Sequence, residues 1–330
     1  MSTARIAAID IGTVTCRLLI ADVGPRDVTE LIRCTDITHL GQDLTATGRL
    51  SDAAIERVRE TVAGYARTIE EFGVEATTAV ATSASRDAEN GGELVSALAG
   101  VGVVPRIIDG EVEARLSFLG ATWSVTGEGL LVVDVGGGST ELILGSSLAE
   151  ENEPRVCEIE TMRSIDVGSR RITEMFLHGD PPSPRELDEA RAYIAAAIRP
   201  FFDTARIKPS TMVSLAGAAT TFSAIQMEMA EYDSEAVHLS CITGPQLSDT
   251  IAMLAGMPLA KRREVVGLHP DRAAVIVGGG LVIETVLALA GLDSTLVSEH
   301  DILYGILLDT YRELRRGVDE SAEQAGSDGA

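Results

Sequence analysis

The amino-acid sequence predicts an α/β protein made of two similar halves, each a mixed sheet with helices packed on it. Three observations predict this fold class. An apolar strand that ends in Asp-x-Gly and a hydroxyl-rich turn occurs twice, once near the N-terminus and once near the middle of the chain. In each half, three strand-like segments come first and are followed by alternating helices and strands. The 330 residues, of which 45% are hydrophobic and 23% charged, are enough for two cores.

The first half opens as an antiparallel meander of three strands, followed by alternating helices and strands. Ser51 is predicted to cap a helix over residues 52–72, because apolar residues recur there at helical spacing: Ile55, Val58, Val62, Tyr65 and Ile69. The predicted strands are residues 5–9, 17–23, 28–35, 76–81 and 103–108. The other predicted helices are one that starts at about residue 86 and one over residues 111–119.

The second half repeats this plan after a polar, glycine-containing stretch at residues 123–128, which we predict to be the domain boundary. The predicted strands are residues 129–134, 141–144, 155–160, 211–215 and 295–297. The predicted helices are residues 168–176, 184–202, 246–254, 271–289 and 302–314, with one more starting in AGAATTFSAI. We expect domains at 1–124 and 125–317, with helix 302–314 a candidate to pack back on the first domain. The acidic, small-residue-rich stretch 318–330 predicts a disordered tail.

Charge and composition exclude several classes of partner. A formal net charge of −23 argues against nucleic acid, because phosphate backbones require clustered basic residues. No apolar run approaches the roughly 20 residues that span a bilayer. The N-terminus MSTARIAAID also lacks a signal-peptide pattern, so we expect a cytoplasmic protein without a membrane partner. The four cysteines are scattered without a Cys-x-x-Cys pair, which favours reduced thiols over disulfides or a zinc site.

The segment DVGGGSTEL, which follows an apolar run, predicts a phosphate-binding turn. Three glycines let backbone N–H groups approach an oxyanion closely, although a plain tight turn is the alternative for glycines alone. The flanking carboxylates, Asp134 and Glu141, offer the hard oxygen ligands that a divalent cation prefers. A related segment, IAAIDIGTVTCRLLIADV, has Asp10, Gly12 and Thr13 at its turn. Phosphate binding is then the better interpretation, because two such turns can face one cleft.

Three further segments are candidates for chemistry, each with a structural alternative. Glu113 lies in the first turn of a predicted helix, where a carboxylate also complements the helix dipole. Arg86 enters a helix N-terminus against the dipole, which favours a bound anion, whereas pairing with Asp87 or Glu89 is the open alternative. The loop AGAATT follows a strand and opens a helix. Its N–H groups can bind an anion, or its small residues can serve close helix–sheet packing.

In this order the segments resemble the exopolyphosphatase/guanosine pentaphosphate phosphohydrolase family, of the acetate and sugar kinase, heat-shock chaperone and actin superfamily. The matching stretches are DIGTVTCRLLIA, TSASRDAEN, DGEVEARLSFLGA, VVDVGGGSTELILG, AGAATTFSA, PDRAAVIVGGGLVI and VSEHDILYGIL. The resemblance implies two ribonuclease H-like (actin-like ATPase) domains, each with a mixed five-stranded sheet, and an active site in the interdomain cleft. It also indicates the short two-domain form, with an ending similar to that of actinobacterial members.

The resemblance also implies roles for individual residues. Glu113 matches the family's catalytic glutamate, which activates the attacking water. Asp134 and Glu141 match acids that position water and magnesium, and Asp10 is a further metal candidate. The residues that match phosphate ligands are Gly12, Thr13, Thr15, Arg86, Gly136, Gly137, Gly138, Ser139, Gly217, Ala218 and Thr220. The expected cofactor is Mg²⁺, with Mn²⁺ as an alternative and K⁺ dependence left open.

The chain also departs from the family pattern. Val14, followed by Thr15, stands where the family usually has Asn followed by Ser, so one hydrogen bond is missing at the first turn. Val112 replaces a frequent glutamate, Leu303 an arginine of many longer members, and Asp36 a frequently basic residue. Fewer cations favour short polyphosphates or a guanosine tetra- or pentaphosphate over long chains.

The sequence therefore predicts a magnesium-dependent exopolyphosphatase that releases terminal phosphate from inorganic polyphosphate. Removal of the 5′-γ-phosphate of guanosine pentaphosphate is the nearest alternative, and no residue separates the two. A catalytically weak sensor of polyphosphate or alarmone nucleotides and a kinase of the superfamily are further alternatives, in that order. A homodimer is compatible with a short chain, although no interface can be recognised.

Overall fold

The computed structural model describes residues 3–148 and 156–327, and its first sheet has five strands. These strands are β1 (Ala4–Ile11), β2 (Thr15–Val23), β3 (Val28–Ile37), β4 (Ala76–Ala81) and β5 (Arg106–Ile107). Their order is β3-β2-β1-β4-β5. The first three form the predicted antiparallel meander, and β4 and β5 continue the sheet in parallel with β1. The central strand β1 is apolar on both faces because helices cover the sheet on both sides.

The helices of the first half are α1 (Leu44–Thr47), α2 (Asp52–Glu71), α3 (Ser83–Asp87), α4 (Gly91–Ala99) and α5 (Gly110–Ala121). The predicted cap of α2 is confirmed, since the Ser51 side chain accepts a hydrogen bond from the backbone N–H of Ala54. The single helix predicted from about residue 86 is wrong. Asn90 separates two helices there, because its side-chain amide bonds to the backbone N–H and C=O of Leu50 instead.

Strand β5 is much shorter than the predicted strand over residues 103–108. Pro105 has no N–H to give to a neighbouring strand, and Val104 is 70% exposed. Only the two residues after the proline pair with β4.

The second sheet repeats the strand order of the first and adds a sixth strand. Its strands are β6 (Gly127–Val135), β7 (Thr140–Leu148), β8 (Val156–Ile165), β9 (Thr211–Leu215), β10 (Cys241–Thr243) and β11 (Ser294–Val297), in the order β10-β11-β9-β6-β7-β8. The two-domain α/β fold with duplicated mixed sheets is therefore confirmed, whereas the expectation of five strands in this sheet is wrong. Strand β10 has only three residues, of which Ile242 alone is buried, so it gives no sequence pattern.

The helices of the second half cover this sheet. They are α6 (Ser169–Phe176), α7 (Pro184–Thr204), α8 (Ala216–Gln226), α9 (Ser234–Val237), α10 (Gly244–Ala255), α11 (Leu259–Arg262), α12 (Ile276–Ala290) and α13 (Ile302–Ser327). Helix α12 starts five residues later than predicted from residue 271, because a 3-10 turn at Pro270–Arg272 precedes it. In the parts of the chain that the structure describes, no helix has the length and apolar character needed to cross a membrane.

Helices α5 and α13 connect the two halves. The apolar face of α13 packs on the first sheet and on α5, in a cluster that contains Leu303, Leu307 and Leu116. The other face of α5, with Phe118, packs on the second sheet. At the helix crossing a side chain on Gly120 would overlap the backbone of the α13 N-terminus. Helix α5 is therefore held between the two sheets.

The structure differs from the prediction of a disordered tail over residues 318–330. The last helix runs to Ser327 and so includes most of the stretch predicted to be a disordered tail. Alanine, glutamate and glutamine in that stretch favour continuation of a helix once one has started. Residues 328–330 lie outside the described residues. The domain limits at residues 124 and 317 stay a prediction.

Candidate active site

The two predicted turns meet at one end of a cleft between the sheets. In each turn a glycine N–H donates to the carbonyl three residues on, from Gly12 to Thr15 at 2.9 Å and from Gly136 to Ser139 at 3.0 Å. A Cβ on Gly137 would lie only 2.7 Å from Cγ2 of Val14. Glycine is therefore required here because the backbone of one turn passes close to the other turn.

The cleft has a volume of about 1040 Å³ and contains nearly all the predicted site residues. Those that line it are Asp10, Gly12, Thr13, Thr15, Glu113, Asp134, Gly136, Gly137, Gly138, Ser139, Glu141, Gly217, Ala218 and Thr220. Arg86 is not among the lining residues; it adjoins the cleft beside Glu113, to which it donates a hydrogen bond. Four separate segments of the sequence thus contribute to a single cavity.

Glu113 lies in the first turn of α5 and is 8% exposed. Its Oε2 accepts a hydrogen bond at 3.1 Å from Nη1 of Arg86, which also donates to the Ile108 carbonyl. Burial raises the pKa of Glu113 well above its usual value, the Glu141 carboxylate raises it further, and Arg86 opposes both. The sequence had suggested Asp87 or Glu89 as ion-pair partners of Arg86, and Glu113 was not among them. Oδ1 of Asp87 lies 3.9 Å from Nε of Arg86.

Asp134 and Glu141 lie opposite each other at the end of the β6–β7 hairpin. Burial raises the pKa of Asp134 to about 6, against the effects of Arg17 and of the Ser117 hydroxyl. Burial also raises the pKa of Glu141 to about 7, and the Asp134 carboxylate adds to this effect. Both carboxyls therefore hold their protons more firmly than exposed acids do.

Asp10, a metal candidate from the sequence, forms an ion pair in the structure. Its Oδ2 accepts hydrogen bonds from Nε and Nη2 of Arg17, at 3.0 and 2.6 Å. Nη1 of the same arginine donates to Asp301, just before α13. Arg17 is not among the predicted site residues, although it lies directly opposite Asp10 in the hairpin, a register that would have indicated it.

The loop at the start of α8 accepts hydrogen bonds from Arg272, a second arginine that was not predicted. Ala216 has a left-handed backbone, with φ of 63°, and the loop turns there into the helix. Nη1 of Arg272 donates to the Gly217 carbonyl at 3.3 Å and to the Thr221 hydroxyl at 3.0 Å. Among the described residues no carboxylate lies within ion-pairing distance of Arg272. Burial lowers the pKa of this guanidinium, which lines the cleft, while Tyr232 and the Glu299 carboxylate oppose that shift.

The donor chemistry of the cleft fits a divalent cation. Five buried carboxylates but only two arginines lie at the end with the two turns: Asp10, Glu113, Asp134, Glu141 and Asp301, with Arg17 and Arg86. Within residues 3–148 and 156–327, no three His, Cys, Asp or Glu side chains form a ready metal-ligand set. Mg²⁺ needs only one or two carboxylates when substrate phosphates and water complete its octahedron. Asp134 and Glu141 suit that role because neither is paired with an arginine.

The protein has two duplicated α/β domains, with glycine turns and clustered carboxylates in the cleft between them. This combination is typical of enzymes that act on phosphate groups. The chain belongs to the Ppx/GppA phosphatase family, whose model matches residues 19–311. A divalent metal ion is generally used in this family. The fold prediction and the family resemblance stated from the sequence are thus confirmed.

Individual relatives match over nearly the whole chain. Exopolyphosphatase 2 of Mycobacterium tuberculosis is 39% identical over 325 residues, which cover 93% of this chain and 99% of the relative. The crystal structure of an exopolyphosphatase-like protein superposes with a TM-score of 0.87 at 36% identity, over 95% of this chain and 99% of that one. The Ppx/GppA family member of Aquifex aeolicus superposes with a TM-score of 0.78 at 29% identity, over 94% and 98%.

Proposed function

We propose that this protein is an exopolyphosphatase, which hydrolyses the terminal phosphoanhydride bond of inorganic polyphosphate and releases orthophosphate. The observation that carries the proposal is the position of the Glu113 carboxylate in the same cleft as both glycine turns. Phosphoanhydride hydrolysis needs a water aligned with the leaving oxygen and stabilisation of spreading negative charge. A buried carboxylate beside two turns rich in N–H groups supplies both requirements.

Glu113 is the proposed general base. It takes a proton from the water that attacks the terminal phosphorus, and a base with a raised pKa is better matched to neutral pH than an ordinary glutamate. Arg86 holds its Oε2 in place. Asp134 is proposed to orient the same water.

The phosphate is proposed to lie between the turns. Its oxygens accept hydrogen bonds from the N–H groups of Gly136 to Ser139 and from the turn at Gly12 and Thr13, with the Thr15 hydroxyl as a further donor. The loop from Gly217 to Thr220 binds from the other side of the cleft. Nη2 of Arg86 has no hydrogen-bond partner in the described part of the chain, so this atom is the one proposed to contact phosphate.

Asp134 and Glu141 are the proposed holders of Mg²⁺, with Mn²⁺ as a substitute. The ion would neutralise phosphate charge and favour the ionised form of both acids. The charge of Asp10 is already balanced by Arg17, so we give it a supporting part only. K⁺ dependence stays an open prediction.

Guanosine pentaphosphate is the second candidate substrate, and the apolar far end of the cleft favours it. Met229, Ala230, Leu268 and Pro270 line that end, next to Tyr232. Apolar and aromatic side chains of this kind can contact a purine base and ribose, whereas a chain of phosphates gains nothing from them. A homodimer and action in the cytoplasm accompany the proposal as predictions.

The decisive experiment measures phosphate release from short-chain polyphosphate and from guanosine pentaphosphate side by side, with Mg²⁺, Mn²⁺ or chelator. We expect metal-dependent release from polyphosphate. Phosphate release from guanosine pentaphosphate but not from polyphosphate would identify the nucleotide as the substrate. Tight binding of either compound by calorimetry, without release at any divalent ion, would instead favour a sensor.

A further inference from the structure

The two duplicated hairpins differ at one equivalent position. In the first hairpin Asp10 lies opposite Arg17, and the two form an ion pair. In the second hairpin Asp134 lies opposite a like charge, Glu141. Like charges directly opposite on an antiparallel pair destabilise it, more so when both are buried. The second hairpin therefore needs stabilisation from outside its own two strands.

Two serines from other elements provide part of that stabilisation. Oγ of Ser117, on α5, donates to Oδ2 of Asp134 at 2.9 Å. Oγ of Ser164, opposite Glu141 on β8, donates to Oε1 of that residue at 2.7 Å. Hydrogen bonds from neutral donors to carboxylates are among the stronger ones in proteins. Each acid thus has a hydroxyl partner of its own.

Ser117 differs from Ser164 because it belongs to the helix that carries the proposed base. Glu113 and Ser117 are four residues apart, so they lie on the same face of α5. The next turn on this face carries Gly120, whose backbone contacts the start of α13. Ser117 has no solvent exposure, and its hydroxyl links this fixed helix to the carboxylate at the glycine turn.

We propose that Ser117 is a positioning residue for phosphoanhydride hydrolysis, which fixes the Asp134 carboxylate relative to Glu113 by a hydrogen bond from the same helix face. The inference rests on the proposed function and deepens it. It makes α5 the common support of the base and of the carboxylate that orients the attacking water. Because only one oxygen of Asp134 accepts this bond, Oδ1 stays available for water or a divalent ion.

The test compares Ser117→Ala with Ser214→Ala. Ser214 is equally buried and loses a side-chain hydrogen bond of its own, to the Thr295 hydroxyl at 2.8 Å, but its hydroxyl does not bond to a cleft carboxylate. We expect Ser117→Ala to lower kcat about tenfold or more with KM within about twofold, because lost partners of ligating carboxylates typically have effects of this size. Ser214→Ala should keep the kcat of the unaltered protein. Ser117→Cys, with similar volume and a weaker donor, should lie between them.

A second readout does not depend on turnover. Mn²⁺ binding is titrated without substrate by the loss of the free-ion electron paramagnetic resonance signal. Ser117→Ala should weaken the Mn²⁺ affinity about tenfold and Ser214→Ala should not. Thermal unfolding of each variant shows that it is folded at the assay temperature.

The outcomes separate this inference from the proposed function. Equal kcat in the two alanine variants, or a rise in KM alone for Ser117→Ala, overturns the role of Ser117. If the unaltered protein releases phosphate from neither substrate, the proposed function fails. The Mn²⁺ titration then decides: weaker binding in Ser117→Ala alone supports the link to Asp134, and equal binding in both variants overturns it.

Discussion

Replacement of Glu113 by glutamine removes the proposed base with little change in shape. The glutamine carbonyl can still accept the hydrogen bond that Arg86 donates to Glu113 at 3.1 Å. What is lost is the negative charge and the ability to take a proton from water. Glu113→Gln should therefore fold as the unaltered protein does and fail in the chemical step.

The size of the effect follows from the environment of Glu113. General-base catalysis contributes about 10²- to 10⁴-fold, or about 3 to 5 kcal/mol of activation free energy. The stability effect should be small, because two changes oppose each other. Burial raises the pKa of Glu113, so ionising it in the native state costs free energy, and glutamine removes that cost. In return Arg86 loses the charge of its partner. We expect kcat to fall at least about a hundredfold with an almost unchanged unfolding temperature.

The assay is steady-state phosphate release at saturating substrate and Mg²⁺, with Glu111→Gln as the matched control. Glu111 lies in the same helical turn but is exposed and does not line the cleft. The unaltered protein should also gain activity with rising pH through the raised pKa of Glu113, since the base acts only when ionised. Turnover by Glu113→Gln within about threefold of the control would remove Glu113 from the mechanism.

Three further predictions concern the carboxylates and the contact between the halves. Without metal, the free energy of unfolding should fall as pH rises from about 4 to 7. The reason is that burial raises the pKa of Asp134 to about 6 and of Glu141 to about 7, so the native state keeps protons that the unfolded chain has lost. Saturating Mg²⁺ should flatten this fall, and a fall of equal size with Mg²⁺ in thermal melts would contradict the metal assignment. Gly137→Ala places a Cβ 2.7 Å from Cγ2 of Val14 in the first turn. The turns must then move apart, and we expect kcat/KM to fall about a hundredfold because the reacting groups are displaced. Full activity in phosphate release would show that the turns need not touch. Arg170→Ala removes the 2.6 Å contact between Nη2 of Arg170 and Nδ1 of His39, which joins the two halves. We expect KM to rise about fivefold and the radius of gyration, measured by X-ray scattering, to increase. If the contact is incidental, KM and the radius of gyration should both stay unchanged.

The sequence predicts most of the fold because its signals are local and occur twice. Strands with a period of two and helices with apolar faces can be read in short windows, and the duplication fixes their order. The predicted elements that were wrong are those whose secondary structure depends on tertiary contacts. Strand β10 exists only because Ile242 and its neighbours pair with a strand more than fifty residues away. Asn90 lies between two helices where one was predicted, and its side chain bonds to Leu50, forty residues earlier.

The site is predictable to the extent that it consists of contiguous motifs. Each glycine turn with its flanking acids, and the loop at Gly217, is a short contiguous segment of the sequence, and these segments line one cleft in the structure. Arg272 and Ser117 were not predicted because their partners lie on other elements, Gly217 and Thr221 for Arg272 and Asp134 for Ser117. For Arg17 the pairing with Asp10 could be read from the hairpin, but its second partner could not. The partner of Arg17 in the helix-start ion pair, Asp301, is 284 residues away, and no sequence window contains both.

The charges in the cleft explain how so acidic a protein can hold a polyanion. Of the three arginines that line the cleft, Arg17 is paired with aspartates and Arg33 with Glu30, so Arg272 is the cation without a carboxylate partner in the described chain. One guanidinium cannot balance several phosphates against the surrounding carboxylates. Backbone N–H groups carry only partial charge, so we expect divalent ions that arrive with the substrate to supply the rest. A metal–polyphosphate complex has much of its charge neutralised and approaches a protein of net charge −23 with far less repulsion than the free polyanion. We therefore expect the acidic surface and a divalent ion to act together in favour of metal-complexed phosphate.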